Sequence, residues 1–116
     1  MIEGIVTEGG VPVIEFQIAG QSWEAIIDTG FNGELELPES LRSAVNPEFV
    51  GRATSLLAVN QRVEEDVFLV DFPFMGRNMR AEATFSDSDE ILVGTQLLRY
   101  CRLTVDFPAQ TVRIEE

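Results

Sequence analysis

The sequence predicts an all-β protein with one or two short helices. Short segments in which apolar and polar side chains alternate recur along the chain, and Gly, Asn and Pro turn signals separate them. These segments are rich in the branched and aromatic residues that favour strands. Only residues 38–45 and 95–102 have the spacing of short helices.

The amino-terminal strands are predicted from their turn residues. Residues 2–7 and 11–18 are separated by Gly9-Gly10, which can adopt the positive φ angles of a tight hairpin. Residues 22–28 begin with alternating apolar side chains and then become apolar. We therefore expect this third strand to enter the core as it reaches Asp28.

The middle of the chain predicts a short strand, a helix and a long hairpin. Residues 34–37 alternate strictly, as in a strand with one wet face, and Pro38 suits the first position of a helix. Asn46-Pro47 ends that helix. Residues 52–59 and 62–71 then form the two arms of a hairpin.

The last part of the chain predicts a buried strand beside a second helix. Ile91-Leu92-Val93 is apolar throughout, which is typical of a central strand. Thr95 can cap a helix in which Leu97, Leu98 and Cys101 share one face. The other strands predicted here are residues 78–85, 103–107 and 111–114.

Length and charge limit the kind of protein this can be. With 116 residues the chain has the length of one domain, so we expect residues 1–116 to form a single unit. No segment approaches the roughly 20 apolar residues that span a membrane, and no secretory signal is visible, so we expect a cytoplasmic protein. The net charge of −12 argues against binding to nucleic acid or to anionic membranes.

The residue types that the sequence lacks exclude several kinds of catalytic and metal site. The sequence has no His and no Lys, which excludes a Ser-His-Asp triad, nearly all zinc sites and Schiff-base chemistry on this chain alone. Tyr100 and the single Cys101 are weak candidates, and Cys101 is better explained as a small buried apolar residue. Proton transfer near neutral pH is therefore expected to depend on carboxylates.

One carboxylate stands out. Asp28-Thr29-Gly30 directly follows the apolar end of the third predicted strand, and no second Asp-Thr-Gly occurs in the chain. An Asp at this position is often only a turn former or a helix cap. Here the apolar strand would bring the carboxylate near the core. If Asp28 takes part in paired-carboxylate chemistry, its partner must come from a second copy of the chain.

The order of the motifs resembles a known family. The strand ending in Asp28-Thr29-Gly30 is followed by Ile91-Leu92-Val93-Gly94, then by Leu97-Leu98 and a closing hairpin. This arrangement resembles the retropepsin-like aspartic proteases, and in particular their small prokaryotic branch. The resemblance implies a closed acid-protease β-barrel that cleaves peptides or proteins as a homodimer and needs neither cofactor nor metal.

The resemblance also implies roles for individual residues. Asp28 would be catalytic, Thr29 and Gly30 would complete the active-site loop, and Phe31 would contact substrate or the dimer seam, although retroviral members usually carry a small residue there. The supporting element beside the loop would be Ile91, Leu92, Val93 and Gly94. The flap over the peptide would comprise Leu57, Ala58, Val59 and Asn60, where Asn60 takes the turn position because the segment lacks glycine.

Two other functions are consistent with the residues. A domain with this fold that binds peptides without cleaving them would keep Asp28 as a structural residue only. Residues 86–90 are acidic and could be considered for metal binding, but they lack the Gly and the Glu spacing of a calcium loop. A solvated acidic loop is the better interpretation of that segment.

Overall fold

The computed structural model describes residues 1–56 and 62–116. Ten strands account for most of it, which confirms the all-β prediction. The strands are β1 (Ile2–Val6), β2 (Pro12–Ile18), β3 (Gln21–Ile27), β4 (Leu35–Pro38), β5 (Glu48–Leu56), β6 (Arg62–Phe74), β7 (Arg77–Ser86), β8 (Ile91–Val93), β9 (Arg102–Asp106) and β10 (Thr111–Glu115). A 3₁₀ turn at Glu39–Leu41 leads into helix α1 (Arg42–Val45), and Asn46 ends that helix in the left-handed conformation.

The ten strands form one sheet. Its order is β5-β6-β7-β4-β8-β3-β2-β1-β10-β9, so β5 and β9 lie at its two ends. Within the described residues no ladder joins these two strands, and the closure of the predicted barrel stays a prediction. No helix in this part of the chain is long and apolar enough to cross a membrane.

Two tight turns explain the long hairpins. Ala19-Gly20 joins β2 to β3, and Met75-Gly76 joins β6 to β7, with positive φ at both residues of each pair. Turns of this kind match the twist of the strands that they connect. The turn at Met75-Gly76 lets β6 stay paired as far as Phe74, three residues beyond the predicted end of that strand at residue 71.

The centre of the sheet repeats one arrangement twice. Strand β3 pairs in parallel with β8, β7 pairs in parallel with β4, and β4 and β8 run antiparallel between them. Each long strand is therefore followed by a loop and a short strand that lies beside the other long strand. We call the loops the β3–β4 loop (residues 28–34) and the β7–β8 loop (residues 87–90). They occupy equivalent positions.

The second predicted helix is absent, and this is a correction. Residues 95–100 form successive turns, in which Leu98 N–H bonds to Thr95 O at 3.2 Å and Cys101 N–H bonds to Leu98 O at 2.8 Å. The N–H groups of Thr95 and Gln96 donate to the β3–β4 loop, and Arg102 already belongs to β9. Few residues lie between Gln96, which is bonded to the β3–β4 loop, and Arg102, where β9 begins, and they are too few for a regular α-helix.

The core lies on one face of this folded sheet. Ile91 and Val93 of β8 are fully buried, as predicted for a central strand, and Leu97 and Leu98 of the turns pack against the same cluster. An aromatic group from β2 and β6 adds to it, with Phe16 and Phe72 ring centroids 5.0 Å apart. Burying side chains of this size contributes about 2 kcal/mol each.

Candidate active site

Asp28 is held by backbone bonds on both sides. Its own N–H donates to Val93 O at 3.0 Å, which continues the β3–β8 ladder by one residue. Its Oδ1 accepts the N–H of Gly30 at 3.0 Å, and its carbonyl oxygen accepts the N–H of Phe31 at 3.1 Å. This turn points a partly exposed carboxylate out of the end of a buried strand. Thr29 and Gly30 are exposed beside it.

The β3–β4 loop is bonded to the residues after β8. Gly94 N–H donates to Glu34 O at 3.0 Å, Thr95 N–H to Phe31 O at 2.9 Å, and Gln96 N–H to Gly33 O at 3.1 Å. Backbone bonds of this number hold a loop in one conformation, because each buried amide left unpaired would cost free energy. The structure thus brings the predicted supporting element beside the predicted catalytic loop.

Close packing explains why Gly94 is a glycine. A methyl group placed on Gly94 would lie 2.1 Å from Gly33 O and 2.8 Å from the ring of Phe31. One placed on Gly33 would lie 2.7 Å from the same ring. The ring of Phe31 therefore covers two glycines, and a larger residue at either position would displace it.

A cleft of about 610 Å³ opens beside Asp28. Gly30, Phe31 and Leu92 lie along one side of it. The β5–β6 hairpin borders the cleft through Ala53, Thr54, Glu65 and Val67, and β7 does so through Glu82, Ala83 and Thr84. Thr84 Oγ1 is buried and has no hydrogen-bond partner in the described part of the chain. The predicted flap residues 57–60 lie outside the described residues.

Sequence reasoning placed Glu34 on the wet face of a strand and missed the bonds that it makes within the site. Its side chain is 17% exposed. Its Oε1 accepts a hydrogen bond from the N–H of Glu82 in β7 at 2.9 Å, and its Oε2 accepts one from the Nη1–H of Arg99 at 3.2 Å. One carboxylate therefore joins the loop, the cleft wall and the turns behind the loop. In the sequence, Glu34 shows only as the first residue of an alternating strand, so no pattern singles it out.

Two side chains in or next to the turns behind the loop, Arg99 and Cys101, have raised pKa values. Hydrogen bonding to Tyr100 and then to Glu34 raises the pKa of Arg99, whose guanidinium lies 4.9 Å from the centre of the Tyr100 ring. Burial raises the pKa of the Cys101 thiol. Both shifts favour the ordinary protonation states at neutral pH. Neither group is thereby prepared for acid-base chemistry.

A second groove reaches the same carboxylate. It has a volume of about 430 Å³ and extends from Asp28 and Thr29 to Ile26 and to Leu103 and Val105 of β9. Unlike the larger cleft, its walls away from Asp28 are mainly apolar. Asp28 thus stands where a cleft bordered by the β5–β6 hairpin and a groove bordered by β9 meet.

The acidic β7–β8 loop borders neither of these two grooves. Ser86 and Ser88 bond the backbone N–H groups of Ser88 and Glu90 at 3.3 and 3.1 Å, and Asp87 and Asp89 are exposed. Within residues 1–56 and 62–116, no three His, Cys, Asp or Glu side chains lie close enough together to hold a metal ion.

Solved structures with the same architecture identify the fold. No family model matches the chain. The structure is similar to a retropepsin-like aspartic protease from Rickettsia conorii, with a TM-score of 0.69, 14% identity, and coverage of 97% of this chain and 87% of that one. It is also similar to the simian foamy virus (mac) protease, with a TM-score of 0.59, 22% identity, and coverage of 76% of this chain and 92% of that one.

A third similar structure is the EIAV protease in complex with the inhibitor HBY-793. Its TM-score is 0.61 at 18% identity, with 78% of this chain and 86% of that chain covered. The three similarities agree on one architecture. The chain therefore has the retropepsin-like fold, and the resemblance seen in the sequence is confirmed at the level of the fold.

Proposed function

We propose that this protein is an aspartic endopeptidase that works as a homodimer, with Asp28 from each copy forming the catalytic pair. One observation carries the proposal: the only Asp-Thr-Gly of the chain holds a partly exposed carboxylate at a cleft of about 610 Å³ in a retropepsin-like fold. A single chain supplies half of a carboxylate pair. The second half would come from an identical chain.

The chemistry follows from the proximity of two carboxylates. As in aspartic proteases generally, two such groups side by side cannot both ionise easily, so they share one proton and titrate as a pair. The ionised Asp28 would take a proton from a water molecule while the water oxygen bonds to the peptide carbonyl carbon. The protonated Asp28 would donate its proton to the carbonyl oxygen. Return of a proton to the amide nitrogen would then break the C–N bond.

The local structure suits this role. Oδ1 of Asp28 is fixed by the N–H of Gly30 at 3.0 Å, whereas Oδ2 has no hydrogen-bond partner in the described part of the chain. A carboxylate held in this way keeps its orientation without losing its second oxygen. Thr29, exposed next to it, would contact the same loop of the second copy. The β5–β6 hairpin borders the cleft, and we assign its residues 57–60 as the flap.

Substitution of Asp28 tests this function directly. We expect Asp28→Asn to abolish cleavage of a diverse peptide library, measured by mass spectrometry, while the fold and the dimer persist. Asp87→Asn is the matched control, because Asp87 lies in the equivalent β7–β8 loop and is exposed. It should cleave like the original protein. Peptide cleavage that survives in Asp28→Asn would refute the assignment.

Binding without turnover would indicate the alternative function. A dimer that binds a statine-type mimic of the tetrahedral intermediate, yet cleaves no member of the library, would be a peptide-binding domain with the protease fold. Asp28→Asn would then leave peptide binding almost unchanged. In a peptidase it would weaken binding of the mimic, since the mimic's hydroxyl bonds to the carboxylate pair.

A further inference from the structure

The two ends of the sheet differ in their readiness to accept another strand. Strand β9 pairs with β10 on one side, and no strand in the described part of the chain pairs with its other side. At the opposite end, β5 is interrupted by a bulge between Phe49 and Gly51, where Gly51 has a φ of 151°. Bulges of this kind discourage edge-to-edge pairing. The β9 edge carries no such interruption.

The sequence of β9 is complementary to itself. Its residues are Arg102, Leu103, Thr104, Val105 and Asp106. When two such strands pair antiparallel about a twofold axis at Thr104, Arg102 lies directly opposite Asp106 of the second copy, and the same pair recurs on the other side of the axis. Directly opposite side chains share a face and lie close enough to interact. Since β9 has one Arg and one Asp, no other register pairs them.

The surroundings of these charges leave room for this pairing. Arg102 is exposed, lies opposite Glu115 of β10, and forms no ion pair within the described residues. Asp106 accepts the N–H of Ala109 through Oδ1 at 3.0 Å. On the same face, Arg113 of β10 lies opposite Thr104 on one side and opposite Glu3 of β1 on the other. Exposed ion pairs contribute little each, so these charges would select the register while backbone hydrogen bonds supply affinity.

The other face of β9 leads to the candidate active site. Leu103 and Val105 line the groove of about 430 Å³ that ends at Asp28 and Thr29. Phe107, 59% exposed, lies at the same groove just after the strand. A strand added beside β9 in the register of Thr104 would extend this apolar surface, because Leu103 and Val105 of the second copy would lie on the same face. An interface along the free edge of β9 would therefore extend to Asp28, the residue that the proposed function pairs with its counterpart in the second copy.

We propose that a second copy of this chain docks on β9, antiparallel and in register at Thr104, with reciprocal Arg102–Asp106 pairs. The choice of a second copy rests on the proposed function, because the site is incomplete with one Asp28. The register rests on β9 alone. Each copy carries a charge of −12, so the self-complementary charges of β9 offset a general repulsion.

Charge reversal tests the register without reading activity. Arg102→Asp and Asp106→Arg should each weaken self-association about tenfold or more in sedimentation experiments at about 0.15 M salt, since each breaks two pairs and creates two repulsions. The two variants mixed in equal amounts should form a heterodimer of restored affinity. Arg52→Asp makes the same charge change on β5, the other edge, and should leave association unchanged.

Cross-linking gives a second measurement. Residues directly opposite in an antiparallel pair have Cα atoms about 4.5–5.5 Å apart, which suits a disulfide. In a Cys101→Ser background, Thr104→Cys should form a disulfide-linked dimer under mild oxidation. Thr111→Cys is the control, because it lies on β10 away from the free edge, and it should remain unlinked.

The outcomes separate this proposal from the proposed function. Restored affinity in the mixture together with the Thr104 cross-link supports the β9 seam even if no peptide is cleaved, in which case the peptidase assignment alone fails. A monomer at all concentrations overturns the seam. So does a dimer that tolerates both charge reversals, or one in which Thr104→Cys cross-links no better than Thr111→Cys.

Discussion

The β3–β4 loop and the β7–β8 loop occupy equivalent places in the sheet but have opposite properties. Each follows a long strand and precedes a short strand that pairs in parallel with the other long strand. The β3–β4 loop is bonded by three N–H groups of residues 94–96, and its Asp28 meets both grooves. The β7–β8 loop bonds mainly to itself and exposes its acidic side chains.

The difference shows why this chain would need a second copy. A carboxylate gains a defined position only where a loop is fixed by its neighbours, and in this chain that holds for one of the two equivalent loops. The other loop has carboxylates but no scaffold around them. The fold therefore has two equivalent loop positions, and of these two loops the β3–β4 loop is the one that holds a carboxylate in a fixed position. Two predictions test this contrast, beginning with the larger effect, and a third concerns the turns behind the β3–β4 loop.

Gly94→Ala should displace the β3–β4 loop from the fixed position that its bonds to residues 94–96 give it. The added methyl group would lie 2.1 Å from Gly33 O, so the loop must move away from β8. Overpacking of this kind against backbone costs about 3 kcal/mol or more. Urea unfolding would measure the loss. Ser88→Ala in the β7–β8 loop is the control and should change stability by less than about 0.5 kcal/mol, because its bonds are exposed. Equal losses in the two variants would contradict the contrast.

Glu34→Ala should have a smaller effect. The change leaves the N–H of Glu82 without its acceptor, a loss of about 1 kcal/mol in unfolding experiments. Glu34→Gln keeps an acceptor oxygen for that N–H and removes only the charge that faces Arg99. It should retain most of the stability. If Glu34→Gln lost as much as Glu34→Ala, the bond to Glu82 would not be the important one.

The smallest effect concerns pH. Burial raises the pKa of Cys101 in the folded protein, so the folded state favours the protonated thiol. The thiol contributes stability below its unfolded pKa of about 8.5, and this contribution is lost as pH rises through the folded pKa. Cys101→Ser should therefore lose slightly less stability than the original protein between about pH 7 and pH 10. A steeper loss in the variant would reverse the sign of the inferred shift.

Much of the fold was predictable because it depends on local patterns. Alternating side chains and turn residues located the strands, and the apolar Ile91-Leu92-Val93 was correctly placed at the centre of the sheet. The helix at 95–102 was wrong, since two of its N–H groups are used by a distant loop. Glu34 was missed for the same reason: its partners, Glu82 and Arg99, lie far away in the chain.

By itself, the sequence determined the type of fold, the shortage of proton-transferring side chains other than carboxylates, and the single Asp-Thr-Gly. These depend on composition, on periodicity and on neighbours along the chain. The tertiary structure decided that residues 94–96 hold the β3–β4 loop, that Phe31 covers two glycines, and that β9 lies at a free edge beside Asp28. The bonds of residues 94–96 to the β3–β4 loop join residues 60 to 64 positions apart in the chain, and their formation depends on how the strands pair.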